Sequence, residues 1–491
     1  MAGPEGRSLR GSAVYGVKWT SVSMIATTVI GLVQLAILTR LLSRADFGLM
    51  AMIATVIGFA QVYADMGFSG AIIYRQDSSR DVLSSLYWTN LVASTGLFAV
   101  MIGVSPLVAR FFHEPQLVRL MMVASLIFLI TPLGQQFQML LQRELLFKRL
   151  GIIEIVSSVL GLCVAVGTGL AHQGVYALIW AQLTAAGARA LLLALYGWRH
   201  WTPCFHLRLA DLKGYIGFGL YQMGERSIYY WAANIDYLLI GRYLGPEQLG
   251  VYTIAYNLVV MPLTKLTPVL TRVAFPIFAK RQDADAALRR GYLELIELVA
   301  FATFPLLVGL AASASVAVVA LFGAAWVPSV LLVQLLTPMG MMKTISSPSG
   351  SLLLAKGRAD IGFWFNVINT AVTVGVLCVA VRFGTVAVAA SHSALGVAAL
   401  PLELYFLWRV TRLQAGAYLR RLLKPLLTSA IMGTCVYLTC LAVRHVLPEP
   451  VAVGLLVVEG VAVYFIMWRL VARDYIPSLW HHLRARGESE E

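Results

Sequence analysis

Long apolar segments, separated by short polar connections, occupy almost the whole chain. About 20 mostly apolar residues are enough for a helix to cross a bilayer, and we identify fourteen segments of that kind. They lie at about 14–38, 47–69, 82–108, 117–140, 150–171, 174–197, 213–236, 249–273, 292–322, 328–354, 360–381, 385–409, 422–444 and 451–472. The pattern predicts an all-α polytopic membrane protein with fourteen transmembrane helices.

The composition agrees with a chain whose solvent is lipid. Of the 491 residues, 59% are hydrophobic and 13% are charged, whereas soluble domains carry about 25% charged residues. The net charge of +14 comes from basic residues in short loops, so we expect no nucleic acid partner. The five cysteines form no CxxC motif, and we expect neither a metal site nor a cofactor.

The basic residues also predict the orientation in the membrane. Most of the 38 Lys and Arg residues fall in alternate loops, and loops rich in these residues face the cytoplasm. Both termini are therefore predicted to be cytoplasmic. The longest connections have under about twenty residues, which leaves no room for a soluble catalytic domain, so the chain is predicted not to be an enzyme.

A short segment occurs twice. Leu38–Gly48 resembles Ile240–Gly250, with Arg40 matching Arg242 and Gly48 matching Gly250. Each copy lies at the outer end of the first span of a six-span unit. Because six is even, both units insert with the same orientation, as in the parallel repeats of many transporters.

The repeat predicts two six-helix lobes related by a parallel pseudo-two-fold axis, with a cavity at their interface and two additional helices. The corresponding domains are an N-terminal lobe at 1–200, a C-terminal lobe at 201–413, and the last two spans with a cytoplasmic tail at 414–491.

The order and spacing of five motifs resemble a known family. They are Leu38–Gly48, Asp65–Phe68, Arg143–Lys148, Asn234–Gly250 and Phe275–Phe278. Across roughly residues 10–410 the chain is similar to the polysaccharide-exporter, or Wzx-type, branch of the multidrug/oligosaccharidyl-lipid/polysaccharide flippase superfamily.

The resemblance implies a substrate and a location. Proteins of this branch move undecaprenyl-diphosphate-linked oligosaccharide units from the inner to the outer leaflet of the bacterial cytoplasmic membrane by alternating access. The products serve exopolysaccharide, O-antigen or capsule assembly. The partners we expect are membrane lipid around a monomeric transporter and a polysaccharide polymerase machinery. The energy source stays open, because membrane potential or a coupling ion, H⁺ or Na⁺, would each fit.

Basic residues inside the predicted spans are candidate ligands of the substrate diphosphate, because an ionisable group in a span costs about 2.5–3.5 kcal/mol and needs a reason. Arginine grips phosphate oxygens with its planar fork, and lysine supplies a point charge. Snorkelling to the interface explains Arg189, Arg272 and Lys18 equally well, and a structural ion pair is the alternative for the others. The candidates are Arg226, Lys265, Lys343, Arg189, Arg272 and Lys18.

Four acids are candidate cavity or coupling groups. Glu225 lies near mid-membrane and is the leading candidate for a coupling or pairing carboxylate, while Glu154 lies close to the inner interface. Asp65 and Asp236 lie near span ends, where helix capping and loop hydrogen bonds are the competing interpretation.

A second function remains open at this point. A cation-coupled multidrug antiporter belongs to a sister branch of the same superfamily. Such antiporters need an acidic cavity and usually have twelve spans, whereas the charges near mid-membrane here are mostly basic. The sequence therefore favours an anionic, lipid-linked substrate.

Overall fold

The computed structural model describes residues 9–64, 79–199, 201–208, 216–280, 285–444 and 446–471, and these residues form helices joined by short connections. The α-helices are α1 Leu9–Leu41, α2 Arg44–Ala64, α3 Arg80–Phe112, α4 Leu117–Ala124, α5 Ile127–Arg143, α6 Phe147–Leu170, α7 Val175–Gly197, α8 Ile216–Lys280, α9 Asp285–Phe322, α10 Pro328–Ala355, α11 Ala359–Ala380, α12 Thr385–Thr411, α13 Ala415–Val443 and α14 Glu449–Val471. Two 3₁₀ turns, Ala324–Trp326 and Val381–Phe383, precede α10 and α12.

Eleven helical stretches of the described chain are long and apolar enough to cross a membrane. One of them, Leu117–Arg143, is divided into α4 and α5 by a single irregular turn. The predicted all-helical membrane fold is confirmed, whereas the count of fourteen spans and the pseudo-symmetry stay predictions.

Helix α8 corresponds to two predicted spans joined without a loop. Its 65 residues would extend roughly 100 Å if the helix were straight, against a hydrocarbon core of about 30 Å. The helix turns at Gly245, whose φ of 82° and ψ of 178° are not helical. Glycine adopts this positive φ at little cost because it has no Cβ atom, so the Gly245-Pro246 pair of the repeat separates the two parts.

The chain divides into two compact units, Met1–Gly250 and Val251–Glu491. In the first unit, α6 packs extensively against α7 and α1, and α5 packs against α7. In the second, α9 packs against α10 and α13, and α10 packs against α12. The repeat predicts a boundary near residue 200 between two six-helix lobes. Compact packing is a different criterion, so the lobe boundary stays a prediction.

The last two helices are tied to α9 by an apolar cluster. Val316 of α9 packs with residues of α13 and α14, and tyrosine Tyr464 of α14 donates a hydrogen bond of 2.8 Å to the carbonyl oxygen of Phe301. The cluster contains Val316, Met432, Val436, Cys440, Ala452 and Leu456. The residues that lie outside the sequence repeat thus belong to the core of the second unit. The tail from 472 onward lies outside the described residues.

The two copies of the repeated segment meet within the first unit, at a contact that we call the repeat crossing. A Cβ atom at Gly48 would lie 1.7 Å from the carbonyl oxygen of Pro246, and one at Gly250 would lie 1.9 Å from the carbonyl oxygen of Arg44. Any side chain larger than hydrogen would therefore force the two backbones apart. An ion pair of 3.1 Å between Arg44 and Glu247 flanks this contact.

Polar groups fix the helix ends around the repeat crossing. Ser43 and Asp46 bond reciprocally at the start of α2: the Ser43 backbone N–H donates to Asp46 Oδ2 (2.8 Å), and the Asp46 N–H donates to Ser43 Oγ (3.2 Å). This is a capping-box arrangement. Arg242 donates to the backbone carbonyls of Arg110 and Phe111, so it satisfies acceptors at the end of α3.

Candidate functional site

A polar cavity of about 690 Å³ lies inside the first unit. That volume is typical of small-molecule sites, which span about 300–1,000 Å³. Helices α1, α2, α3, α5, α6 and α7 contribute to its wall. The polar lining residues are Thr27, Gln61, Ser94, Thr131, Gln135, Gln138, Glu154, Ser157, Ser158, Gln182 and Arg189.

Helical spacing explains why these polar residues share one cavity. On α6, Glu154 is followed by lining residues three and four positions later, and on α7 Gln182 is followed by Arg189 two turns later. Residues at such spacing lie on one face of a helix. An apolar cluster beside the cavity holds α5, α6 and α7 together, formed by Phe137, Leu141, Leu150, Ile153 and Leu193.

An ion pair lies in the cavity wall. Arg189 Nη2 is 3.1 Å from Glu154 Oε1, and the exposed fractions of the two side chains are 40% and 37%. The described contact joins one nitrogen to one oxygen, so the guanidinium fork is not fully used by Glu154. The sequence predicted both residues as cavity groups separately, and the structure brings them together.

Lys343 has a different environment in the second unit. Its ammonium nitrogen donates a hydrogen bond of 3.0 Å to the Tyr256 hydroxyl and lies 5.3 Å from the centroid of that ring. Tyr256 in turn stacks with Tyr252, with ring centroids 5.8 Å apart. The aromatic pair thus contacts the ammonium group of an exposed lysine.

The other predicted site residues differ in their exposure. Lys18 on α1 and Arg226 on α8 are exposed, whereas Lys265 on α8 is half-buried. Asp236 is buried within α8, rather than at a helix end, and its Oδ1 accepts a bond of 3.0 Å from the Tyr237 N–H.

Three predicted site residues cannot be placed in this way. Asp65 lies outside the described residues, and the side chains of Glu225 and Arg272 lie outside the described part of α8. Their predicted roles stay predictions.

Glu403 lies in the predicted span 385–409, and it is not among the site residues predicted from the sequence. In the structure its carboxylate is 5% exposed and accepts hydrogen bonds from two serines of α10: Ser346 at 2.5 Å, and Ser349. The Ser349 hydroxyl also bonds the hydroxyl of Tyr292 on α9, at 2.6 Å. The signal in the sequence is a lone acid in one apolar span and two serines three residues apart in another.

A second buried acid, Glu297 on α9, was missed altogether. It is 2% exposed and accepts a bond of 2.6 Å from Arg421 of α13. This pair resembles a structural tie between helices rather than a ligand site. Within the described chain, no cluster of three or more His, Cys, Asp or Glu residues has the geometry of a metal site.

The comparisons with known proteins identify a matching family and individual relatives. The family described as "Polysaccharide biosynthesis protein" matches residues 37–331. The teichuronic acid biosynthesis protein TuaB of Bacillus subtilis is 34% identical over 88% of this chain and 89% of its own length. The lipopolysaccharide biosynthesis protein WzxC of Escherichia coli is 34% identical over 74% of each chain.

The structural comparison concerns the fold. The lipid II flippase MurJ, in an inward closed conformation, superimposes with a TM-score of 0.75 at 16% identity, covering 94% of this chain and 100% of that one. The predicted resemblance to Wzx-type polysaccharide biosynthesis proteins is confirmed by the family match and by the two relatives TuaB and WzxC. The prediction of a transporter rather than an enzyme agrees with this fold.

Proposed function

The chain belongs to the polysaccharide biosynthesis protein family, and from that premise we propose that it is a flippase for a lipid-linked oligosaccharide. The substrate we propose is an oligosaccharide repeat unit attached to undecaprenyl diphosphate. The protein moves it from the inner to the outer leaflet of the bacterial cytoplasmic membrane by alternating access, with both termini in the cytoplasm.

The polar cavity of the first unit is the observation that carries this proposal. Its wall offers four amide side chains, namely Gln61, Gln135, Gln138 and Gln182, together with several hydroxyls. An amide presents both donors and acceptors, as a hydroxyl does, and sugar hydroxyls need both. A cavity lined in this way suits a neutral, hydroxyl-rich headgroup better than a hydrophobic drug.

The diphosphate requires cations in addition. We propose Arg226, Lys265 and Lys343 as its principal ligands, with Arg189, Arg272 and Lys18 as further basic groups on its path. Arg189 already contacts Glu154, so an anionic group of the substrate would compete with Glu154 for the guanidinium. Charge-assisted hydrogen bonds to phosphate are about twice as strong as neutral ones.

The test is a flipping measurement in proteoliposomes. Purified protein receives a fluorescent polyprenyl-diphosphate oligosaccharide, and its arrival in the opposite leaflet is followed for wild type, Arg226→Ala, Lys265→Ala and Lys343→Ala. We expect transport by the wild type and its loss in the three variants at normal expression. Arg358→Ala serves as the matched control, since Arg358 pairs with Asp360 near the start of α11. Arg358 belongs neither to the polar cavity nor to the proposed diphosphate ligands.

The opposite result would identify the competing function. Absence of oligosaccharide movement, together with proton-driven movement of a cationic dye, would overturn the flippase and support a multidrug antiporter.

A further inference from the structure

The buried network around Glu403 is a second polar site, separate from the cavity of the first unit. It is built from α9, α10 and α12 of the second unit. The carboxylate lies inside a helix, Thr385–Thr411, that is apolar enough to span the membrane. An ionised carboxylate in such surroundings is costly unless it is paired or hydrogen-bonded.

The partners of Glu403 are hydroxyls, and no basic side chain accompanies them. Among the described residues, no Lys, Arg or His lies within ion-pair distance of its carboxylate. This distinguishes Glu403 from Glu297, which is equally buried but bound to Arg421. An acid whose partners are hydroxyls can change its protonation state without breaking an ion pair.

The hydroxyl groups can serve both states of the acid. When Glu403 is ionised, Ser346 and Ser349 donate to its two oxygens, and Tyr292 donates to Ser349. When Glu403 is protonated, its own O–H donates, and a serine hydroxyl rotates to accept, since a hydroxyl is both donor and acceptor. The network therefore needs no rearrangement of the backbone to accommodate a proton.

A further buried hydroxyl adjoins the network. Tyr418 of α13 is 0% exposed, its hydroxyl has no hydrogen-bond partner among the described residues, and it lies within electrostatic range of Glu403. Unpaired buried hydroxyls are costly. An unsatisfied acceptor or donor beside the acid adds hydrogen-bonding capacity that the ionised form alone does not use.

The network borders an exposed position on α10. Ser346 is half-buried, and its neighbour Ser347 on α10 is exposed. Three charged groups on the surrounding helices have other described partners: Lys343 on α10 bonds Tyr256, Asp360 on α11 pairs with Arg358, and Arg421 on α13 pairs with Glu297. Tyr292 and Tyr418 are the titratable groups that face Glu403 from α9 and α13.

We infer that Glu403, in the second unit, is a reversible proton-binding site that couples a proton gradient to transport. The inference rests on the proposed flippase function and names its coupling ion. The proton comes from water on one side of the membrane, forms the O–H bond of the carboxylic acid, and returns to water on the other side. No other bond forms or breaks.

The first arm of the test detects the proton without transport. Infrared difference spectra between alkaline and acidic pH are recorded for the purified protein, for Glu403→Gln, and for Glu459→Gln. Glu459 is the matched control, because it is an acid inside α14 that accepts one hydroxyl hydrogen bond, from Thr439 at 2.8 Å. We expect a carboxylic acid carbonyl band that disappears in Glu403→Gln and persists in Glu459→Gln. Retention of the whole band in Glu403→Gln would overturn the inference.

The second arm measures coupling in proteoliposomes with the fluorescent lipid-linked oligosaccharide. For one coupled proton, a pH difference of about one unit sustains an accumulation ratio of about tenfold. We expect that ratio in the wild type and a ratio near unity in Glu403→Gln, which retains gradient-independent exchange, with partial recovery in Glu403→Asp. Wild-type flipping that responds to sodium and not to pH would overturn proton coupling and leave the flippase intact. Absence of any flipping would instead contradict the flippase, while the infrared arm still decides whether Glu403 binds the proton.

Discussion

Two acids inside apolar helices, Glu154 and Glu403, are stabilised by different partners. Glu154 faces a cavity, is 37% exposed, and is neutralised by a single contact to Arg189. Glu403 is 5% exposed and is stabilised by serine hydroxyls without a basic partner. The first arrangement keeps both charges available to a ligand, whereas the second keeps the acid away from ligands and responsive to protons.

The difference indicates how a transporter can separate recognition from energy supply. An ion pair that is partly exposed costs little to open, because solvent screens its charges. A buried acid costs much more to disturb, because each hydroxyl around it would lose its partner. The comparison therefore predicts that removing the acid at Glu403 lowers stability strongly, whereas removing the ion pair at Glu154 lowers stability little.

The largest expected effect on stability comes from Glu403→Leu. The apolar side chain leaves the hydroxyls of Ser346 and Ser349 without their acceptor, and we expect a loss of roughly 2–4 kcal/mol, measured as a lowered melting temperature in detergent. Glu403→Gln retains an acceptor and should melt close to the wild type. Equal melting of Glu403→Leu and wild type would show that the network contributes nothing to the fold.

A smaller loss is expected from Ser349→Ala, which disconnects Tyr292 from Glu403. We expect about 1–2 kcal/mol, because one buried tyrosine hydroxyl loses its partner. Ser347→Ala, two positions away on the exposed side of α10, is the control and should change the melting temperature little. If both variants melt alike, the 2.6 Å contact between Tyr292 and Ser349 is not a stabilising one.

The smallest effect on stability is expected at the cavity ion pair. A double-mutant cycle of Glu154→Ala and Arg189→Ala should give a coupling energy of about 0.2–1 kcal/mol. The coupling should decrease further at high salt, since salt screens exposed charges. Transport of the lipid-linked oligosaccharide should nevertheless fall in Arg189→Ala. A large coupling that is insensitive to salt would mean that the pair is closed off from solvent, and the comparison with Glu403 would then break down.

The sequence predicted much of the fold because apolar length and turn chemistry are local signals. The helix ends near Ser43 and the turn at Gly245 follow from residues that are adjacent in the chain. The candidate site was predicted less completely. Glu154 and Arg189 were both selected, but their pairing depends on the depth and rotation of two helices. Hydropathy alone gives neither quantity.

Glu403 shows the same limit more sharply. Its partners, Ser346 and Ser349, belong to α10, which is separated from α12 in the chain by α11. Periodicity along one helix indicates which residues share a face, but not which other helix that face will meet. A lone acid in an apolar span is a usable signal, and the identity of its partners becomes known only with the packing.

The repeat crossing also has the reciprocal contact pattern of a symmetric interface. With the 202-residue offset between Gly48 and Gly250, Pro246 is the counterpart of Arg44, so Gly48 touches the counterpart of Arg44 while Gly250 touches Arg44 itself. Such reciprocity, in which residue i contacts j and j contacts i, defines the isologous interface of a symmetric dimer. A half-length ancestor with this segment would have met a second copy of itself at the same glycine. Duplication and fusion of such a segment would convert an association between two chains into a contact within one, which does not depend on protein concentration.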